Sequence, residues 1–370
     1  MMGIVLDSVT KKVVAETHLN NISLELEIGT TTVVLGHTLA GKTTLLRLMA
    51  GLDRPTSGRI LVNGRDVTGM SVRKRSVSMV YQQFVNYPSL TVYKNIASSL
   101  KMSGMSKIEI DRKVRETAAM LHIEDLLDRF PAELSGGQQQ RTAIARSLAK
   151  DADLLLLDEP LVNLDYKLRE ELQVELQDIF KKREAIVVYT TTEPAEALML
   201  GGNIVVIDEG RVLQTGSTPE VYHNPATLKV AQLFSDPPIN YLNGAVRGDA
   251  VRLEQDIEFP LDGHLKSVPA GSYIFGIRPN HFFLSRVSDK DAELRVKVEL
   301  AEINGSETFI HVSHGDSRLV VQEDGVNPLR IGQEITIYVN PACFFVYDTA
   351  GALFASPFNK GSDRRPAWPA

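Results

Sequence analysis

The chain has 370 residues, 43% hydrophobic and 23% charged, with a formal net charge of −6 and one cysteine. That length exceeds one ordinary core and implies at least two domains. The lone cysteine, Cys343, excludes an internal disulfide; no apolar run approaches the roughly 18 residues of a membrane-spanning helix, and Lys and Arg are scattered among acids, which argues against nucleic acid as a partner. No basic segment followed by an apolar core opens the chain, so a secretory signal is not expected and the cytoplasm is favoured.

In chain order, residues 31–35 form a β-rich run, and residues 42–50 have the apolar spacing of a helix stopped by Gly51. Between them, Gly36-His37-Thr38-Leu39-Ala40-Gly41-Lys42-Thr43 fits the pattern GxxxxGK[ST]. Its chemistry needs backbone N–H groups curling around phosphate oxygens at a helix N-terminus. Lys42 is expected to neutralise the β and γ phosphates, and Thr43 to present its hydroxyl to Mg²⁺; Thr44 continues the loop into the helix. A glycine-capped turn is the bland alternative, and the strand-before, helix-after context counts against it.

A turn at Pro55-Thr56-Ser57-Gly58 leads to a strand-like run at 59–62, and 77–81 is a further candidate strand. Residues 90–150 are mostly helical in pattern. Within them Leu134-Ser135-Gly136-Gly137-Gln138 opens the run LSGGQQQR, where Ser135, Gly136, Gly137 and Gln138 offer backbone N–H groups and a positive helix end to a phosphate. Residues 153–157 and 185–189 are continuous apolar strands, separated by a helical stripe of Leu164, Leu168, Leu172, Leu176, Ile179 and Phe180. Alternating strands and helices predict an α/β fold with a parallel sheet. Asp158 and Glu159 then leave the C-terminal end of a buried strand, where ligands of such sheets gather. Asp158 is expected to hold Mg²⁺ and Glu159 to act as the general base that polarises attacking water. Asp236-Pro237-Pro238 reads as a linker, and 244–353 as short β-rich segments punctuated by Gly, Pro and Asp. His311 and His314 read as surface histidines, Cys343 as a small core residue, and Tyr222 and Pro225 carry no expected chemistry.

Taken together, GHTLAGKTT from Gly36, VYQQF from Val80, LSGGQQQR from Leu134, LLLLDEP from Leu154 and NLD from Asn163 resemble the ATPase subunit of an ATP-binding cassette importer of the sugar and polyol uptake group. The resemblance implies a P-loop ABC ATPase domain at 1–235 with a helical subdomain at about 88–150, an all-β domain of oligonucleotide-binding-like barrels at 236–360, and a tail at 361–370. It implies two such subunits stacked head to tail, each ATP lying between one subunit's phosphate loop and the other's LSGGQ. Gln82 then matches the glutamine that senses Mg²⁺ and the membrane subunit, Asp165 the aspartate that crosses the dimer interface, and Tyr87 begins a segment beside the coupling-helix groove. The partners implied are a second ABC ATPase, two transmembrane permease subunits and, indirectly, an extracytoplasmic solute-binding protein, with the chain on the cytoplasmic face of the membrane. A soluble ABC protein acting on ribosomes or DNA fits less well, since this chain has one cassette and the VYQQF docking region.

The departures carry information too. Thr192, in Thr191-Thr192-Glu193-Pro194-Ala195-Glu196-Ala197, stands where the family has its switch histidine, and Val13 stands where it has the aromatic that stacks on adenine. Leu39 replaces a glycine of the phosphate loop, and Val162 a serine before Asn163. Leu39 is strained if that position needs positive φ. These changes favour a heterodimer in which this chain lends a complete LSGGQ to its partner while its own site works slowly, and they resemble the glycerol-uptake branch. A homodimeric sugar-importer ATPase and a nearly inert nucleotide-binding structural subunit are the alternatives.

Overall fold

The computed structural model describes residues 3–101, 104–162, 164–254 and 257–358; Asn163 and the tail at 361–370 lie outside them. The chain divides into two compact units, 1–218 and 219–370.

In the first unit, β1 (Gly3–Val13) and β2 (Glu16–Glu27) make a long antiparallel hairpin, and β3 (Thr31–Leu35) leads into α1 (Lys42–Ala50). Two short strands, β4 (Ser57–Val62) and β5 (Arg65–Asp66), complete a four-stranded sheet of order β2-β1-β4-β5. β6 (Val77–Val80) precedes the helical region, α2 (Val92–Lys101), α3 (Lys107–Met120) and α4 (Gly136–Leu148). The chain returns through β7 (Leu154–Asp158), α5 (Tyr166–Lys181), β8 (Ile186–Thr191), α6 (Pro194–Leu200), β9 (Asn203–Asp208) and β10 (Arg211–Ser217). The second sheet has the order β10-β9-β3-β8-β7-β6, parallel except at β10. Its central strands are buried along their length, as covered parallel strands must be, so their apolar runs show no alternation. Leu172, Leu176 and Phe180 form the buried face of α5, as its stripe predicts.

Both ends of α1 are fixed by the sequence. Gly41 supplies the N-cap at φ 103, and Gly51 the C-cap at φ 75, returning its N–H to the carbonyls of Arg47 and Leu48. The half-buried Arg75 closes the C-terminal end: its guanidinium donates to the carbonyls of Leu48, Met49, Val67 and Met70, tying the last turn to the loop after β5. A cation at a helix C-terminus also offsets the negative end of the dipole.

The second unit holds a six-stranded and a five-stranded antiparallel sheet between Asn240 and Ala355, closed over a core that includes Leu242, Phe275, Ile310, Val321 and Ile337. The unit begins ahead of Asp236-Pro237-Pro238 because two short helices pack with it, α7 (Thr218–His223) and α8 (Leu228–Leu233). The buried Arg278 guanidinium donates to the carbonyls of Tyr222 (2.7 Å) and Phe234 (3.0 Å) and lies 3.6 Å above the Tyr222 ring. His223 stacks on Phe358 with ring centroids 4.2 Å apart. Burial, reinforced by the nearby Arg278 charge, pushes the His281 imidazole down to about 4. Cys343 is partly buried against the core, which pushes its thiol up to about 11. His311 lies 3.9 Å from Glu302, and His314 Nδ1 lies 2.8 Å from the Arg295 carbonyl. Among the described residues, no helix is long and apolar enough to cross a membrane.

Candidate functional site

The turn between β3 and α1 carries the glycine loop, and its backbone conformation explains which residues it needs. A Cβ on Gly36 would come within 2.2 Å of the Ile207 carbonyl oxygen, and one on Gly41 within 2.7 Å of the His18 carbonyl oxygen. Gly41 also has positive φ, as does Leu39 at φ 69. The expected strain at Leu39 is therefore present, and its side chain is 96% exposed. His37 and Thr38 are exposed beside it, while Ala40 is buried and closes the loop by donating its N–H to the His37 carbonyl.

Lys42 turns inward. The residue is 4% exposed, and its ammonium donates to the carbonyls of Gly36 (2.7 Å) and His37 (2.9 Å) and lies 3.0 Å from Glu159 Oε1. Thr43 donates its hydroxyl to Asp158 Oδ1 at 3.0 Å, and Thr190 does the same from β8 at 3.0 Å. Burial pushes the Asp158 carboxyl above its ordinary range, while the two hydroxyls pull it the other way. Glu159 follows at φ 44, held by N–H donation to the Thr190 hydroxyl at 3.0 Å. Gln82 donates to Glu159 Oε2 at 3.3 Å, so Lys42, Thr43, Gln82, Asp158 and Glu159 converge at the C-terminal edge of the parallel sheet. Thr190 belongs to this group and carries no sequence motif; the only hint is that β8 ends in consecutive threonines.

Thr192 follows β8 immediately and is half-buried. Beneath it, Tyr189 donates to the buried Glu196 at 2.9 Å, and the Glu193 N–H donates to the Thr191 hydroxyl at 3.0 Å, fixing the start of α6. Val13 ends β1 with 41% exposure and offers no aromatic face.

Ser135, Gly136, Gly137 and Gln138 stand at the N-terminus of α4. Ser135 Oγ accepts from the Gln138 N–H, and Gln138 Oε1 accepts from the Ser135 N–H, a reciprocal capping box. Gly137 is needed by the chain itself, since a Cβ there would come 2.9 Å from Leu168 Cδ1, but a Cβ on Gly136 would meet nothing within 4 Å. Among the described contacts, none joins this helix start to the group around Lys42. Asp165 is the N-cap of α5, accepting from the Leu168 N–H at 3.0 Å.

Comparison with known proteins bears on the same residues. A family model described as ABC transporter matches residues 19–162, and one described as TOBE domain matches residues 275–346. The chain is 37% identical over 325 residues to the sn-glycerol-3-phosphate import ATP-binding protein UgpC of Escherichia coli strain K12, covering 87% of this chain and 91% of that protein. It is 33% identical over 367 residues to the Bacillus subtilis strain 168 ABC transporter ATP-binding protein YurJ, covering 96% of this chain and 100% of the other. Among solved structures, the dimeric bacterial ABC transporter cassette MJ0796 matches with a TM-score of 0.54 and 29% identity, covering 58% of this chain and 98% of that one. A post-hydrolysis dimer of the same cassette, bound to ADP and Pi, matches with a TM-score of 0.53 and 28% identity, over the same shares of the two chains. A loop, carboxylate pair and capped signature helix arranged in this way, with such similarity along most of its length, mean that the chain belongs to the ATP-binding subunits of ABC transporters, ATPases coupled to transmembrane transport, and carries a TOBE domain.

Proposed function

We propose that this chain is one of two paired ATPases that energise import of a polyol or its phosphate, glycerol-3-phosphate or glycerol foremost, with a slow hydrolytic site of its own. The loop's N–H groups and Lys42 hold the β and γ phosphates at the positive end of α1. Thr43 and Asp158, whose side-chain oxygens lie 3.0 Å apart, would hold Mg²⁺ together with Gln82, since hard oxygen donors suit that cation, and the cation would neutralise charge on the phosphate oxygens. Glu159 takes the proton of the attacking water as its oxygen bonds to the γ phosphorus and the bond to the ADP oxygen breaks.

The observation that carries the pairing is the contrast between the two ends of the machinery. The signature helix start is complete, and Gly136 is unconstrained by its own chain, which suits close approach of a nucleotide held by another subunit. Thr192 is too short to reach a γ phosphate in the manner of an imidazole and cannot carry its charge. Loss of such a donor costs on the order of a hundredfold in rate. The glycerol-3-phosphate import named for the Escherichia coli relative supports the substrate class. The remaining partners are two permease subunits, fed by an extracytoplasmic solute-binding protein, with this chain on the cytoplasmic face and Asp165 at the interface between ATPases.

Reconstitution of the permease with this chain alone, and with a second related ATPase, tests the pairing. Transport is expected only with both, and full transport with this chain alone refutes it. Thr192→His is expected to raise hydrolysis at this site by about a hundredfold, and unchanged single-turnover rates would reject the slow-site account. Glu159→Gln is expected to abolish what turnover remains; if it does not, the chain serves as a nucleotide-binding scaffold.

A further inference from the structure

Two hydroxyls hold Asp158, and they come from different parts of the fold. Thr43 lies in the first turn of α1, beside the glycine loop, whereas Thr190 is fully buried on β8, whose pairing with β7 sets it opposite Asp158. Both donate to the same oxygen, Oδ1, at 3.0 Å, and among the described residues no hydrogen bond reaches Oδ2.

The direction of the Thr190 hydroxyl hydrogen is dictated by its surroundings. Its oxygen accepts from the Glu159 N–H at 3.0 Å, so the hydrogen is left with two acceptors, Asp158 Oδ1 at 3.0 Å and the Leu157 carbonyl at 3.4 Å. The shorter bond, to a carboxylate, is the stronger. Asp158 is 2% exposed, so bulk water does not stand ready to replace a lost donor, and a carboxylate deprived of one is free to turn. The Glu159 N–H has a second acceptor in the Thr190 carbonyl at 3.2 Å, which any residue at position 190 supplies. Loss of the hydroxyl therefore releases Asp158 and leaves the backbone at Glu159 tethered.

We propose that Thr190 is a positioning residue for hydrolysis: it ties Asp158 Oδ1 to the sheet, so that Oδ2 is the oxygen left to the cation. The inference rests on the reading of Asp158 as a ligand of Mg²⁺, and Thr190 acts only through that carboxylate. Hydrogen-bond partners of a metal-ligating carboxylate fix its rotation, and their removal weakens metal binding about 10–100-fold.

Binding of Mn²⁺ to the full chain in the presence of ADP, followed by electron paramagnetic resonance, reads this position apart from turnover. Thr190→Val, which keeps the shape and removes the hydroxyl, is expected to raise the Kd for Mn²⁺ about tenfold and leave ADP binding without metal within about twofold of the parent. Thr190→Ser restores the donor and is expected to return the Mn²⁺ affinity to within about threefold of the parent. In the assembled transporter, the Mg²⁺ concentration for half-maximal turnover should rise about tenfold with Thr190→Val, while turnover at saturating Mg²⁺ falls less, because Glu159 keeps its tether. Thr190→Ala removes the same donor and takes the place of the valine variant should that one fold poorly. Unaltered Mn²⁺ affinity in Thr190→Val or Thr190→Ala, a serine variant as weak as the valine one, or an equal loss of metal-free ADP binding overturns the proposal. If Asp158→Asn leaves Mn²⁺ affinity unchanged, the assignment of Asp158 itself fails.

Discussion

Leu39 pays for its position twice: its φ of 69 is unfavourable for a residue with a Cβ, and its 96% exposure returns nothing through burial. Leu39→Gly is therefore expected to stabilise the first unit by about 1 kcal/mol, the left-handed strain relieved outweighing the added freedom of the unfolded chain. A lower midpoint in urea unfolding would contradict this. The residues of the phosphate loop and Asp158-Glu159 are legible in the sequence because their chemistry demands fixed identities at fixed spacing. Thr190 is not. It reaches Asp158 only because β7 and β8 are neighbours with Asp158 opposite Thr190. That pairing leaves no mark in the local sequence.

At the scale of elements, the adjacent glycines of α4 are expected to part company when substituted. Gly136→Ala adds a Cβ in open space and improves helix propensity, so its thermal midpoint should equal or exceed the parent's while ATP turnover of the assembled transporter falls. Gly137→Ala pushes on Leu168 and is expected to cost about 1 kcal/mol of stability as well. Full turnover in Gly136→Ala would mean that nothing external approaches that position. Arg75→Ala removes the donor shared by the carbonyls of Leu48, Met49, Val67 and Met70, and a loss of about 2–3 kcal/mol is expected in chemical unfolding. The limits of α1 are legible because glycines at 41 and 51 punctuate it, and the central strands because continuous burial makes continuous apolar runs. No strand before Thr31 is expected from the sequence, although at the end of β2 the buried Ile22, Leu24 and Leu26 alternate with the exposed Ser23, Glu25 and Glu27; elsewhere in the hairpin three register shifts interrupt that alternation.

For the molecule as a whole, the order of an α/β cassette followed by a β domain is legible from the change in texture after Phe234. The start of the second unit is not, since it depends on Arg278 reaching back to Tyr222 and Phe234. That unit also carries an acid sensitivity. His281 is held neutral down to about 4, below its ordinary value of 6.5, so the unfolded chain binds the extra proton first. Its contribution to stability is complete above pH 6.5 and declines between pH 6.5 and 4, by up to about 3 kcal/mol. His223 and His264 are lowered in the same direction, chiefly by burial, and add to the trend. Unfolding followed from pH 7 to pH 4 should show the loss, and His281→Gln should flatten it; a pH-independent midpoint would contradict the assignment. Because Arg75 anchors the far end of the helix that begins at Lys42, that helix behaves as a strut: a push at its phosphate end cannot be dissipated by fraying of the last turn. The same guanidinium holds Val67 and Met70, so a displacement of the helix is expected to be passed on to the strand-rich lobe at the chain's beginning.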